Sequence, residues 1–248
     1  TISRRQRQMC IRDSINSIKY LFIPVTVLIA PVILVATQPD LGTSILIAAG
    51  GTVVAWLAGV RAKFFMLSGF AMLALLPVAI SLLKPYQKSR ILTFLNPERD
   101  PLGAGYQIIQ SKIAIGSGGL FGKGFLNGSQ SYLDYLPEKH TDFIFTLFSE
   151  EFGFFGSLFI LLLYALIISR IIKIGNMTRS NFGKLYCYSF ATAFFLYVVV
   201  NMMMVLGLLP IVGSPLPIMS YGGSSMMAIM LGLGIVMSCK IHKDVPVN

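Results

Sequence analysis

Six apolar runs dominate this chain, and each is long enough to cross a bilayer. They lie at roughly Tyr20–Thr37, Leu41–Val60, Phe64–Leu83, Phe143–Ser169, Leu185–Leu209 and Pro217–Ser238. A membrane-crossing helix needs about 20 mostly apolar residues, about 30 Å of rise. No strand-like alternation runs through them, so they read as helices rather than barrel strands. Prolines and glycines inside the runs (Pro24, Pro31, Gly50, Gly51, Pro77) are tolerated in membrane helices. The expectation is an all-α polytopic membrane protein with six transmembrane helices. Composition agrees: 55% of the 248 residues are hydrophobic and 12% charged, against about 25% charged in soluble domains. That excludes an ordinary soluble enzyme and a disordered chain.

The net charge of +10 is then read against the membrane, and no nucleic-acid partner is expected. With the N-terminus inside, 13 Lys and Arg fall on the cytoplasmic side and 7 outside. All seven outer cations lie in one loop, about 84–142; the short outer turns Gln38–Asp40 and Pro210–Leu216 have none. Both termini are therefore expected in the cytoplasm and the long loop outside. Residues 1–14 read either as a basic juxtamembrane segment or as a non-native leader, because Met9-Cys10-Ile11-Arg12-Asp13 is also what a sequencing-transposon end encodes. The membrane domain is expected over 15–248.

The long loop is where chemistry can sit, since connectors of that size are usually functional. Tyr106–Ile115 has apolar residues at helical spacing and suits a helix on the membrane surface. The stretch Gly116–Gly124 is glycine-rich but fails as a phosphate loop. Ser117 stands where the first glycine is needed, and Gly124 follows Lys123. A flexible turn at the membrane surface is the expectation. Asp142 precedes the fourth span beside Phe143 and Phe145. It reads as a helix cap or as a general base. His140 reads as its partner or as a solvated loop residue. Glu150 and Glu151 lie about two turns into the span, where ionisable groups are costly. They read as functional or as members of a structural hydrogen bond or ion pair. Asp40 suits a helix cap, Asn201 and Tyr197 interhelix hydrogen bonds. The methionines of the last two spans suit packing, and no metal site is expected. Cys10, Cys187 and Cys239 have no framework spacing.

Taken together, these residues resemble a family. Leu136-Pro137-Glu138-x-His140-Thr141-Asp142-Phe143-Ile144-Phe145, followed by Glu150-Glu151-x-Gly153, is similar to the signature of the SEDS (RodA/FtsW) proteins. So are Gln38–Ser44, Asp100–Tyr106, Gln110–Gly119 and Pro215-Leu216-Pro217-x-x-Ser220-Tyr221-Gly222-Gly223-Ser224. The likeness runs from about Ile15 to Lys243. Gly122-Lys123-Gly124, Gly128-x-Gln130-Ser131 and Val212-Gly213-x-Pro215 resemble the elongation branch rather than the division branch.

The resemblance implies a ten-helix enzyme of the bacterial inner membrane, of which these six spans would be the last. It implies a peptidoglycan glycosyltransferase that polymerises lipid II into β-1,4 glycan strands. Its implied partners are lipid II, the nascent strand, a class B penicillin-binding protein and elongation-complex membrane proteins. By this likeness Asp142 is the essential loop aspartate, acting as base while the acceptor hydroxyl displaces polyprenyl pyrophosphate in one inverting step. Arg90, Lys112, Lys123 and Lys139 are candidates to hold the pyrophosphate. Gln110 and His140 are further candidates for substrate contact. No cofactor is evident, although a divalent cation could assist. A lipid II transporter and a non-catalytic scaffold are the other readings.

Overall fold

The computed structural model describes residues 18–38, 40–82, 85–96, 103–129 and 140–242. The leader 1–14 and Lys139 lie outside the described residues. Among those described there are eight helices and no strand. The chain divides into two compact units, Thr1–Lys84 and Pro85–Asn248.

The first unit contains α1 (Ile18–Thr37), α2 (Leu41–Leu57) and α3 (Ala62–Leu82), matching the first three apolar runs. Asp40 caps α2 as expected, its carboxylate accepting from the Thr43 N–H at 3.1 Å. The short turn brings α1 and α2 side by side, and the Ser44 hydroxyl donates to the Val32 carbonyl at 3.1 Å.

The second unit contains α4 (Pro85–Leu95), α5 (Ala104–Gly118), α6 (Ile144–Met177), α7 (Asn181–Val205) and α8 (Gly223–Ile241). Helix α6 is its axis and packs against α5, α7 and α8. The core between them is apolar, with Phe143, Phe145, Tyr164, Phe194, Met204, Val205 and Leu216 buried. Helices α6, α7 and α8 are long and apolar enough to cross a membrane. The fold is that of a polytopic all-α membrane protein.

Three features differ from the sequence reading. The last helix starts at Gly223 rather than Pro217, because Pro217–Gly222 forms a hydrogen-bonded turn instead. Helix α5 buries Gly105, Ile108, Ser111, Ala114 and Gly118 along one face, and that face packs on α6. The third difference concerns α6 itself. Its 34 residues are broken at Gly153, where φ is 67° and ψ is −160°, a conformation essentially confined to glycine.

A break frees carbonyls on one side and N–H groups on the other, and apolar surroundings offer them no water. The glycine-rich segment supplies the partners. The N–H groups of Lys123 and Gly124 donate to the carbonyls of Glu150 and Glu151, both at 3.0 Å. The carbonyls of Gly119 and Leu120 accept from the N–H groups of Phe154 and Phe155 at 2.9 and 3.2 Å. The segment is thus a fitted cap for both half-helices, not a flexible turn. The backbones meet so closely that a Cβ on Gly153 would stand 2.3 Å from the Gly122 nitrogen.

Gly153→Ala in the full-length protein is therefore expected to destabilise by about 2–4 kcal/mol, seen as a lower thermal midpoint in detergent. Gly116→Ala, in open space on α5, should be neutral or stabilising by up to about 1 kcal/mol. Equal midpoints for the two variants would contradict the fitted cap.

Candidate active site

Asp142 stands in the turn His140–Phe143 that leads into α6. Phe143 is the N-cap residue of the helix, without a side-chain cap, and its ring is fully buried in the core. The turn is held by its backbone. Three successive carbonyls each accept a hydrogen bond: His140 from the Tyr221 N–H at 2.9 Å, Thr141 from the Ser220 hydroxyl at 2.6 Å, and Asp142 from the Asn201 amide at 2.9 Å. These donors are themselves tied. Ser220 Oγ accepts from the Leu216 N–H at 2.7 Å, and Asn201 Nδ2 also donates to the Ser214 carbonyl at 2.7 Å. Tyr164 donates its hydroxyl to the Pro217 carbonyl at 2.6 Å. Asn201, Ser214 and Ser220 are all buried, so the Asn201–Ser214 and Ser220–Leu216 bonds are shielded from water and costly to lose.

The loop between α7 and α8 also borders the carboxylate. Gly213 has φ of 68°, and a Cβ there would lie 3.5 Å from Asp142 Oδ2. Two residues away, the Ile211 carbonyl accepts from Arg90 Nη1 at 3.3 Å. Arg90, on α4, is therefore the candidate cation placed on the loop that flanks Asp142. Beside the turn lies an open depression of about 490 Å³, lined by His140, Ile144, Ser220, Tyr221 and Met226 among others. Exposed His140 sits on its rim.

The other candidates go elsewhere. Lys112 lies over Gly207, its Nζ 2.8 Å from where a Cβ would be, at the C-terminal end of α7, a place that favours a cation. Gln110 is half-buried on α5. Its neighbour Ser111 donates to the Val205 carbonyl at 2.8 Å and meets Thr146 Oγ1 at 2.9 Å, joining α5 to α6 and α7. Lys123 forms an ion pair with Glu150 at 2.7 Å, and the carboxylate is fully buried. Ser129 adds a hydrogen bond to it at 3.0 Å and Ser117 a long one at 3.5 Å. Of the readings for Glu150, the ion pair is what the geometry holds. Glu151 is half-buried and contributes its carbonyl to the glycine-rich cap. Among the described residues no three His, Cys, Asp or Glu side chains gather at metal-ligand spacing.

Sequence reading missed Asn201 and Ser220 as holders of the Asp142 turn. The signal was present: an amide in an apolar span must find partners. Its partners are loop carbonyls rather than another helix.

The family model described as cell cycle protein (FtsW, RodA, SpoVE) matches residues 4–245. The chain belongs to this family. It is 48% identical over 228 residues to the peptidoglycan glycosyltransferase MrdB of Escherichia coli, covering 92% of this chain and 62% of MrdB. It is 37% identical over 228 residues to stage V sporulation protein E of Bacillus subtilis, with 92% and 62% covered. The chain thus spans about three fifths of the length of these curated relatives. A solved structure concerning coordination of polymerization and crosslinking by a peptidoglycan synthase complex superposes with a TM-score of 0.73 at 34% identity, over 94% of this chain and 66% of that one. The rod shape determining protein RodA of Thermus thermophilus shares the fold, with a TM-score of 0.60 at 24% identity over 94% of this chain and 62% of that one.

Within this family member, the Lys123–Glu150 pair is expected to hold the cap to the broken helix. Lys123→Met strands a buried carboxylate and should cost about 3 kcal/mol, read as thermal stability of the full-length protein. Adding Glu150→Gln should recover most of that loss. A double variant no more stable than Lys123→Met would contradict the pairing.

Proposed function

We propose that this chain carries the catalytic turn of a peptidoglycan glycosyltransferase that polymerises lipid II during cell elongation. The observation that carries the reading is Asp142. It is a carboxylate at the mouth of a membrane helix, on a turn whose three carbonyls are pinned by Asn201, Ser220 and Tyr221. The names of the relatives support it, MrdB being called a peptidoglycan glycosyltransferase.

In this proposal Asp142 accepts the proton of the acceptor sugar hydroxyl as that oxygen bonds to the donor's anomeric carbon. The bond from that carbon to the polyprenyl pyrophosphate breaks, and its electron pair leaves with the pyrophosphate. A single inverting displacement needs no protein nucleophile. Arg90 is the cation best placed to steady the leaving group from the loop beside Asp142. His140, which lines the depression beside the turn, is a further contact, and a divalent cation would assist in the same charge neutralisation. The positive-inside pattern supports an inner-membrane protein with this chain's termini in the cytoplasm and the Asp142 turn outside. The partner proposed is a class B penicillin-binding protein, in line with the peptidoglycan synthase complex that the fold resembles.

Replacing Asp142 by Asn in the full-length protein with its partner should lower polymerisation of labelled lipid II by about 10²–10⁴-fold. Folding and partner binding should be retained. Near-normal polymerisation by that variant would overturn the assignment.

A further inference from the structure

The cap on α6 has an outer surface that the catalytic reading does not use. Leu120, Phe121, Phe125 and Leu126 are 60%, 81%, 69% and 72% exposed. Four large apolar side chains within seven residues are not the makings of a solvated tip. Part of the polar obstacle to apolar surroundings is removed. Polar backbone groups of the segment bond into the break in α6, through the N–H groups of Lys123 and Gly124 and the carbonyls of Gly119 and Leu120. The one charged side chain of the tip, Lys123, is neutralised by Glu150 at 2.7 Å.

Position along α6 points the same way. Arg170 and Lys173 mark one end of its apolar stretch. Counting back from Arg170, about 20 residues at about 1.5 Å each cross a hydrocarbon core of about 30 Å, and that reaches Glu150. The tip docks at Glu150–Phe155. Its rings also continue the exposed surface of the span: Phe121 lies 5.4 Å from Phe155 and Phe125 6.4 Å from Phe152, between centroids.

We propose that residues 120–126 form a re-entrant tip whose Leu120, Phe121, Phe125 and Leu126 are buried among the lipid acyl chains of the leaflet on the Asp142 side. The half-helix Ile144–Phe152, about 13 Å long, stands between this anchor and the Asp142 turn. The tip therefore sets the depth of Asp142 relative to the bilayer. The surface is continuous with the exposed apolar side of a helix long enough to cross a membrane, which favours lipid over a protein occupant. The inference depends on α6 crossing a membrane and not on the reaction proposed for Asp142.

The test is photolabelling of the unmodified full-length protein in phosphatidylcholine–phosphatidylglycerol vesicles doped with a phospholipid carrying a diazirine in its acyl chain. Labelled positions are mapped by peptide mass spectrometry. The exposed span residues Leu158 and Phe159 serve as the internal reference. Label on 120–126 of the same order as at Leu158–Phe159 is the expected result. Loss of label from 120–126 while Leu158–Phe159 remain labelled would overturn the proposal, whether the tip then lay in water or beneath another polypeptide.

Discussion

A backbone inside a bilayer has no water to bond to, and that constraint organises the second unit of this protein. Helix α6 departs from regular geometry at Gly153, and every group freed there needs a partner. The segment Gly119–Gly124 answers from both directions, giving N–H groups to one half-helix and carbonyls to the other. Much else follows from that fit. Gly122 and Gly153 leave no room for a Cβ between them. Lys123 is brought over Glu150, so a carboxylate with no exposed surface has a cation at 2.7 Å. The loop is thereby fastened at Gly128–Ser129, and the half-helix that starts at the Asp142 turn is given a fixed lower end.

The upper end is fixed by the same kind of interaction. The main chain of the Asp142 turn is held by donors from α7 and from the loop between α7 and α8. The Tyr221 N–H donates to the His140 carbonyl, and a helix continued through Tyr221 would take that N–H into its own ladder.

The spans were legible because lipid imposes a long, simple pattern that any window of the sequence displays. Asp40 as a cap and Tyr106–Ile115 as a helix followed from local rules, and both recur in the structure. Asp142 stood out through its place beside an apolar run, and through the family's likeness. What stayed hidden depends on pairs distant in sequence. Nothing local marks Gly116–Gly124 as a partner of residues thirty positions on. Lys123 looked like a ligand for phosphate because its counter-charge, Glu150, lies 27 residues away. Asn201 lies 59 residues from the carbonyl it holds, and periodicity within a helix says nothing about a partner in a turn.

In the proposed reaction the clamp on the turn, not the mere presence of a carboxylate, makes Asp142 competent. Steady-state lipid II polymerisation by the full-length Asn201→Ala variant tests it most directly. A small misplacement of a catalytic group can cost up to about 10²-fold. The claim therefore predicts kcat lowered about tenfold or more in a folded protein, with KM for lipid II little changed. Wild-type kcat in a folded Asn201→Ala protein would contradict it.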